Sequence, residues 1–256
     1  MGHSTALASA NLVTLKLEIR VVNVLPQLTK LKGMALDLLF PQWCVGCGKE
    51  GDFLCYSCCQ SLPRIVPPLC PRCGKPQPSG ILCPSCVGWQ TEMEGIRSPF
   101  RFDGVIRQAI HQLKYRNLRA IVVPLARLLT GYLITNPIPG EVLVPVPLHQ
   151  KRLRERGYNQ SELLARELGK LVSLPVVDDC LIRQRHTPPQ ARASSVEERR
   201  SNAANAFTCR NHKLQDKQVL LIDDVTTSGA TLDACASALK AAGASSVWGL
   251  VLATEI

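Results

Sequence analysis

Two clusters of residues in this sequence have the types and spacing to do chemistry. The first lies near the C-terminus, in the run Val219-Leu220-Leu221-Ile222-Asp223-Asp224-Val225-Thr226-Thr227-Ser228-Gly229-Ala230-Thr231. Four apolar residues predict a buried strand that ends in two carboxylates, followed by a hydroxyl- and glycine-rich turn and a helix. Such a turn offers free N–H groups and the positive end of a helix dipole to a phosphate. Thr227, Ser228 and Thr231 add hydroxyl donors, and Gly229 lets the backbone approach closely. Asp223 and Asp224 would repel a phosphate. They suit a neighbouring diol, accepting hydrogen bonds from two sugar hydroxyls, and could hold a hydrated magnesium ion. A phosphate beside a diol at the carboxyl end of a parallel strand describes a ribose 5-phosphate site. The run has no GxxxxGK, which excludes a Walker loop. As strand-end groups the two carboxylates are expected to be exposed and to contribute little to stability.

The second cluster is made of cysteines. Of twelve in the chain, nine lie between Cys44 and Cys86. Two segments repeat: Cys44-Val45-Gly46-Cys47-Gly48 matches Cys70-Pro71-Arg72-Cys73-Gly74, and Leu54-Cys55-Tyr56-Ser57-Cys58 matches Leu82-Cys83-Pro84-Ser85-Cys86. Each copy carries a complete set of four thiols, so the duplication favours two tandem sites over one interleaved site. The first set is Cys44, Cys47, Cys55 and Cys58; the second is Cys70, Cys73, Cys83 and Cys86. Four thiolates converging from two CxxC turns are what tetrahedral zinc requires, and a site closed by four cysteines makes the metal structural. An iron–sulfur cluster and free thiols are the alternatives. The glycine after each second cysteine lets the backbone curl so that N–H groups point at sulfur. Cys59 has no counterpart in the other copy.

The rest of the chain must position these clusters. Its 256 residues are 46% hydrophobic and 20% charged, enough for a sizeable core, which excludes disorder, collagen and coiled coil as global descriptions. Thirty Lys and Arg against twenty Asp and Glu leave a net charge of +10, which points to an anionic partner. No segment reads as a secretory signal or a membrane span, so the expectation is a cytoplasmic protein with reduced thiols free to bind metal. Residues 1–33 carry no motif and read as a tail or a non-native extension. Residues 34–90 form the double four-cysteine zinc module, too poor in apolar periodicity to build its own core, so that bound zinc replaces one. Residues 91–256 form the second domain. It opens with a short strand and two helices, Gly104–Tyr115 and Leu118–Leu133. Then come a strand at Glu141–Pro147, a helix from Asn159 to about Val172 with a capping-box-like start, and an extended stretch at Val176–Ile182. A short helix could open at 195–198. A strand at Lys217–Asp223, a helix at Thr231–Ala242 stopped by Gly243, and a strand at Ser246–Ala253 complete it. This alternation implies an α/β fold with a mostly parallel sheet covered by helices.

The Asp223–Thr231 run resembles the 5-phosphoribosyl-1-pyrophosphate (PRPP) signature of type I phosphoribosyltransferases, with Thr226 at a position usually apolar in that family. The resemblance implies that Asp223 and Asp224 are the catalytic carboxylates and that Val225, Thr226, Thr227, Ser228, Gly229, Ala230 and Thr231 hold the PRPP phosphate. Three further segments look like the ComF/GntX family, which joins an N-terminal cysteine module to a phosphoribosyltransferase-like domain. They are the run Leu36-Asp37-Leu38-Leu39-Phe40-Pro41; Val144-Pro145-Val146-Pro147-Leu148-His149 with Arg152, Arg154, Arg156, Gly157, Tyr158, Asn159 and Gln160; and Arg185, Thr187, Gln190, Arg199, Asn202, Ala206 and Phe207. Ala193 stands where that family has Leu. The turn after Pro147 is expected beside the turn after Asp224, with Leu148 and His149 on pyrophosphate and Lys151 and Arg152 supplying charge. His149 is either a proton donor to pyrophosphate or a solvated histidine. Residues 188–195 lie where the fold carries a flexible hood, and read equally as an ordinary surface loop.

The resemblance implies a PRPP-binding protein of natural competence or DNA utilisation that handles incoming single-stranded DNA. Zinc, magnesium with PRPP, and DNA-uptake or recombination proteins would be its companions. The arginines of 152–156 and 183–200 could track a phosphate backbone. The rival readings are an active phosphoribosyltransferase on a nucleobase or other small acceptor, and a PRPP-sensing regulator.

Overall fold

The computed structural model describes residues 41–184 and 206–256. The tail 1–33, the Leu36–Phe40 run, the hood stretch, the helix at 195–198 and the motif residues Arg185, Thr187, Gln190, Arg199 and Asn202 lie outside the described residues.

In chain order the main elements are α1 (Tyr56–Gln60), β1 (Gly95–Arg97), β2 (Phe100–Arg101), α2 (Gly104–Tyr115), α3 (Val122–Thr135), β3 (Val142–Pro145), α4 (Gln150–Arg156) and α5 (Gln160–Val172). They continue with β4 (Leu181–Arg183), β5 (Phe207–Cys209), β6 (Gln218–Thr226), α6 (Ala230–Ala241) and β7 (Ser246–Thr254). The sheet order is β1-β7-β6-β3, with β2 pairing further along β7, and every pair in this sheet is parallel. Strands β4 and β5 form a separate antiparallel ribbon that brackets the hood stretch in sequence.

The strand sequences explain the layering. A parallel strand covered on both faces needs apolar side chains in both directions. In β6, Val219 and Leu221 face one cluster, with Val142, Val144, Val247, Val251 and the α6 residues Leu232, Cys235, Ala236 and Leu239. Leu220 and Ile222 face the other cluster, with Leu143, Leu250, Leu252 and the buried stripes of α2, α3 and α5. The sheet is thus covered by three helices on one face and by α6 on the other. Each such fully buried leucine contributes about 1.5–3 kcal/mol.

Among the described residues, the expected strands and helices of the main sheet are present, with shifts at their ends. β6 runs on through both carboxylates to Thr226. The stretch Val176–Ile182 yields only the short β4 and a single bridge from Val176 to Leu143. Helix α4 was not anticipated. Its sequence, QKRLRER, has no apolar stripe and buries none of its residues, so periodicity gives it no signal. Caps supply its limits: the His149 ring accepts from the Lys151 N–H at 3.2 Å, and Gly157 closes it with φ 79°.

The cysteine module docks on the edge of the same sheet. Arg64 bridges Phe100 antiparallel, Ile65 N–H donates to Pro99 at 2.8 Å, and Ile96 N–H donates to Arg72 at 2.7 Å. The second cysteine set is part of the core: Cys70, Cys83, Cys86, Trp89 and Met93 share the cluster that holds Val251 and α6. The first set forms a small satellite of Cys44, Leu54 and Cys58, with Val105 and Leu128 packed against it.

Candidate functional site

The two cysteine sets assemble as the repeat predicts. Cys44, Cys47, Cys55 and Cys58 form one group, and Cys70, Cys73, Cys83 and Cys86 the other, with the sulfurs of each within 4.8 Å of one another. The Cys47 and Cys55 sulfurs are 3.6 Å apart, as are those of Cys73 and Cys83. Tetrahedral zinc with Zn–S near 2.3 Å sets a sulfur spacing of about 3.8 Å, so the geometry fits that ion. Cys55 N–H points at Cys44 Sγ (3.4 Å) and Cys83 N–H at Cys70 Sγ (3.5 Å), the donors that stabilise thiolate charge. Gly48 and Gly74 make the curl possible, at φ 70° and 71°. The chain therefore carries two four-cysteine sites consistent with about two zinc ions.

The carboxylates sit at the carboxyl end of β6. The β3–β6 register pairs Pro145 with Ile222, which brings Leu148, His149, Lys151 and Arg152 to the same end of the sheet. Asp223 Oδ1 accepts from Ser161 Oγ at 2.7 Å and from Asp224 N–H at 2.9 Å. Asp224 Oδ1 accepts from Val225 N–H at 2.9 Å, and Asp224 Oδ2 pairs with Lys114 Nζ at 2.7 Å. The carboxylates are not the exposed pair that a strand end suggests. Asp224 is 3% exposed and Asp223 is half-buried. The reason is tertiary: Lys114 arrives from α2 and Ser161 from α5, and both helices close over the strand end. Burial, reinforced by the Asp224 charge, pushes the Asp223 carboxyl up to about 7.

Sequence reasoning missed two of these partners. Ser161 reads as an ordinary helix-start residue, and its backbone N–H does cap on Asn159 (3.1 Å) while its hydroxyl serves Asp223. Lys114 lies beside Leu113 on an amphipathic helix and has no local signature. Arg183, read only as part of a basic stretch, ends β4 with its guanidinium 5.4 Å above the Phe207 ring and feels the charges of Arg152 and Asp223. Burial pulls its pKa down from the usual arginine value.

The loop after Asp224 is walled by the cysteine module. Thr226, Thr227, Ser228, Gly229 and Thr254 line a small cavity with Lys75, Ser85, Cys73, Cys83 and Cys86. Thr254 Oγ1 is buried there without a hydrogen-bond partner, and Lys75 has no ion-pair partner among the described residues. Trp89 Nε1 donates to Asp233 Oδ2 at 3.3 Å, and Thr91 also donates to Asp233, tying the module to the first turn of α6. Gly229 precedes that turn at φ 79°, and a β-carbon on it would stand 2.9 Å from both Trp89 Cη2 and Ile96 Cδ1. Gly229→Ala is therefore expected to cost about 1–3 kcal/mol from backbone strain and overpacking. A thermal melt should show the midpoint lowered by several degrees, and an unchanged midpoint would show that the wall yields.

The sheet, the loop and the cysteine sets together define the class: a phosphoribosyltransferase-type α/β fold bearing a double zinc ribbon. Family models agree, with a double zinc ribbon domain matching residues 35–87 and a phosphoribosyl transferase domain matching residues 155–255. The chain is 30% identical over 216 residues to Competence protein ComFC of Bacillus subtilis, covering 77% of this chain and 84% of the relative. It is 30% identical over 212 residues to Competence protein F of Haemophilus influenzae (78% and 90%), and 30% identical over 197 residues to DNA utilization protein YhgH of Escherichia coli K12 (75% and 86%). The chain belongs to this ComF family. Among the described residues no helix is long and apolar enough to cross a membrane.

Proposed function

We propose that this protein binds PRPP with magnesium and works in DNA uptake or utilisation, handling single-stranded DNA in the cytoplasm. One observation carries the PRPP reading: a buried, hydrogen-bonded carboxylate pair followed directly by a hydroxyl- and glycine-rich loop at the carboxyl end of a central parallel strand. In this reading Asp223 and Asp224 hold the ribose diol. Val225 to Thr231 hold the 5-phosphate through N–H and hydroxyl groups. Leu148, His149, Lys151 and Arg152 face the pyrophosphate from the neighbouring strand end, and magnesium neutralises part of its charge. The DNA reading draws on the names of the relatives and on the +10 charge. DNA-uptake or recombination proteins are its natural partners. The reaction such a site performs is displacement of pyrophosphate from the anomeric carbon by an acceptor, driven mainly by electrostatic stabilisation of the leaving group.

Calorimetry with PRPP and magnesium tests the site, and pH sharpens the test. A diol donates to ionised carboxylates, and Asp223 ionises near pH 7. Affinity is expected to rise several-fold from pH 6 to pH 8. No heat at either pH would remove the PRPP reading. Following PRPP consumption with and without an oligonucleotide separates an enzyme from a sensor.

A further inference from the structure

Helix α2 has two faces of opposite character. Ile106, Ala109, Ile110 and Leu113 are buried, while Arg107, His111 and Tyr115 recur every fourth residue on the exposed side. The helix contains no acidic residue. Tyr115 is 68% exposed, unusual for a large ring beside a formed core. It does not stand alone. The Phe102 and His111 rings lie 6.1 Å apart, and His111 and Tyr115 lie 5.4 Å apart at 75°. Guanidinium groups interleave with these rings: Arg107 is 5.8 Å from the Phe102 centroid and Arg156 is 5.7 Å from Tyr115, while the exposed Arg119 lies 4.4 Å from the buried Tyr158 ring. Arg116 follows Tyr115 on the exposed side. None of Arg107, Arg116, Arg119 and Arg156 is ion-paired to a carboxylate among the described residues.

We infer that this stripe is a track for single-stranded nucleic acid, with Tyr115 as the platform on which a base stacks and Arg107, Arg116, Arg119 and Arg156 as its phosphate contacts. The inference rests on the reading that the protein handles single-stranded DNA, and adds where the strand lies. Guanidiniums with no carboxylate partner supply the sequence-independent attraction to phosphates, and an exposed ring stacks on any base. A duplex hides its base faces and would leave Tyr115 unused. A helical peptide partner would need an apolar stripe, and here Tyr115 is the single large apolar surface on the face. The track also ends at the carboxylates. Lys114, next to Tyr115, pairs with Asp224, and Arg156 donates to Gln160, the neighbour of the Ser161 that holds Asp223. Tyr115 is thus the sequence neighbour of the lysine that pairs with Asp224 at the proposed ribose site.

Fluorescence anisotropy of the full chain with a labelled oligothymidylate, single-stranded or annealed, tests the placement. Tyr115→Ala should weaken single-strand binding about 5- to 100-fold, the range of one lost base stack, while Tyr115→Phe retains it. Arg107→Ala and Arg119→Ala should each lower the salt slope by about 0.7, one phosphate contact for a single strand. Lys170→Ala, far along α5, serves as the charge control and should change little. Tight wild-type binding that these stripe variants leave unchanged would overturn the track and keep the DNA reading. Equal affinity for the duplex would overturn the stacking role. No wild-type binding at low salt would remove the DNA reading and the track with it. Because Tyr115 and Arg107 are exposed, thermal melts of their variants should match the wild type, while Arg119→Ala, which removes the guanidinium stacked on Tyr158, should melt slightly lower.

Discussion

Asp223→Asn is expected to weaken PRPP binding by roughly 10- to 100-fold without loss of fold. A charge-assisted hydrogen bond from a sugar hydroxyl is worth about 1.5–3 kcal/mol, and Asn keeps the shape while losing the charge. Ser161 Oγ, which donates to Asp223 at 2.7 Å, can donate to the amide oxygen as well. The folded-state pKa near 7 stands above the ordinary 3.8, so the folded protein favours the protonated form. Asp223 therefore contributes most to stability below about pH 4 and progressively less as pH rises through 7. At pH 8 the neutral Asn should leave the melting midpoint equal or higher. Asp224→Asn behaves differently. It removes the partner of Lys114, an almost fully buried carboxylate paired at 2.7 Å, and breaking a buried pair from one side costs about 3–5 kcal/mol. Melting and PRPP affinity should then fall together. Calorimetry and thermal melts on the two variants check both statements; an Asp223→Asn protein with unchanged PRPP affinity would falsify the diol assignment.

Cys83→Ser should damage the protein far more than Cys44→Ser, although each removes one thiol from one of two matching four-cysteine sets. Structural zinc supplies about 10–16 kcal/mol in small finger peptides, of the same order as a whole domain's stability of about 5–15 kcal/mol. The second set stands inside the main core beside Trp89, Met93 and Val251, and its neighbours wall the loop after Asp224. Loss of its metal should lower the melting midpoint steeply and weaken PRPP binding, because Trp89 and Ile96 no longer hold Gly229 in place. The first set is a satellite packed on Val105 and Leu128, so Cys44→Ser should cost one zinc and local order while leaving the sheet folded. Elemental analysis should fall from about two zinc ions to about one in each variant. Equal melting midpoints would show that the second ribbon is not integral to the core. The second ribbon shares the main core cluster, whereas the first forms a cluster of its own.

The chain's own order of residues determined a good deal. Local repetition of CxxCG and LCxSC was enough to assign each thiol to its set, because metal ligands close over short loops whose spacing is written in sequence. The four-residue apolar run before Asp223 fixed a doubly covered parallel strand, since only such a strand needs apolar side chains on both faces. The proposed phosphate loop stands out as a motif because its glycine, hydroxyls and carboxylates are contiguous. What depended on contacts between distant segments was not legible. Lys114 and Ser161 reach the carboxylates from helices lying 110 and 62 residues away in sequence, and their approach leaves Asp224 buried and Asp223 half-buried where the strand end suggested an exposed pair. Helix α4 escaped because it buries nothing, and periodicity reports burial. The docking of the second ribbon on Gly229, and the alignment of Tyr115 with Arg156 across two helices, likewise follow from packing. Sequence determines what each segment can form by itself; which polar side chains meet, and therefore which are charged, shielded or free to bind, is decided only when the sheet brings its helices together.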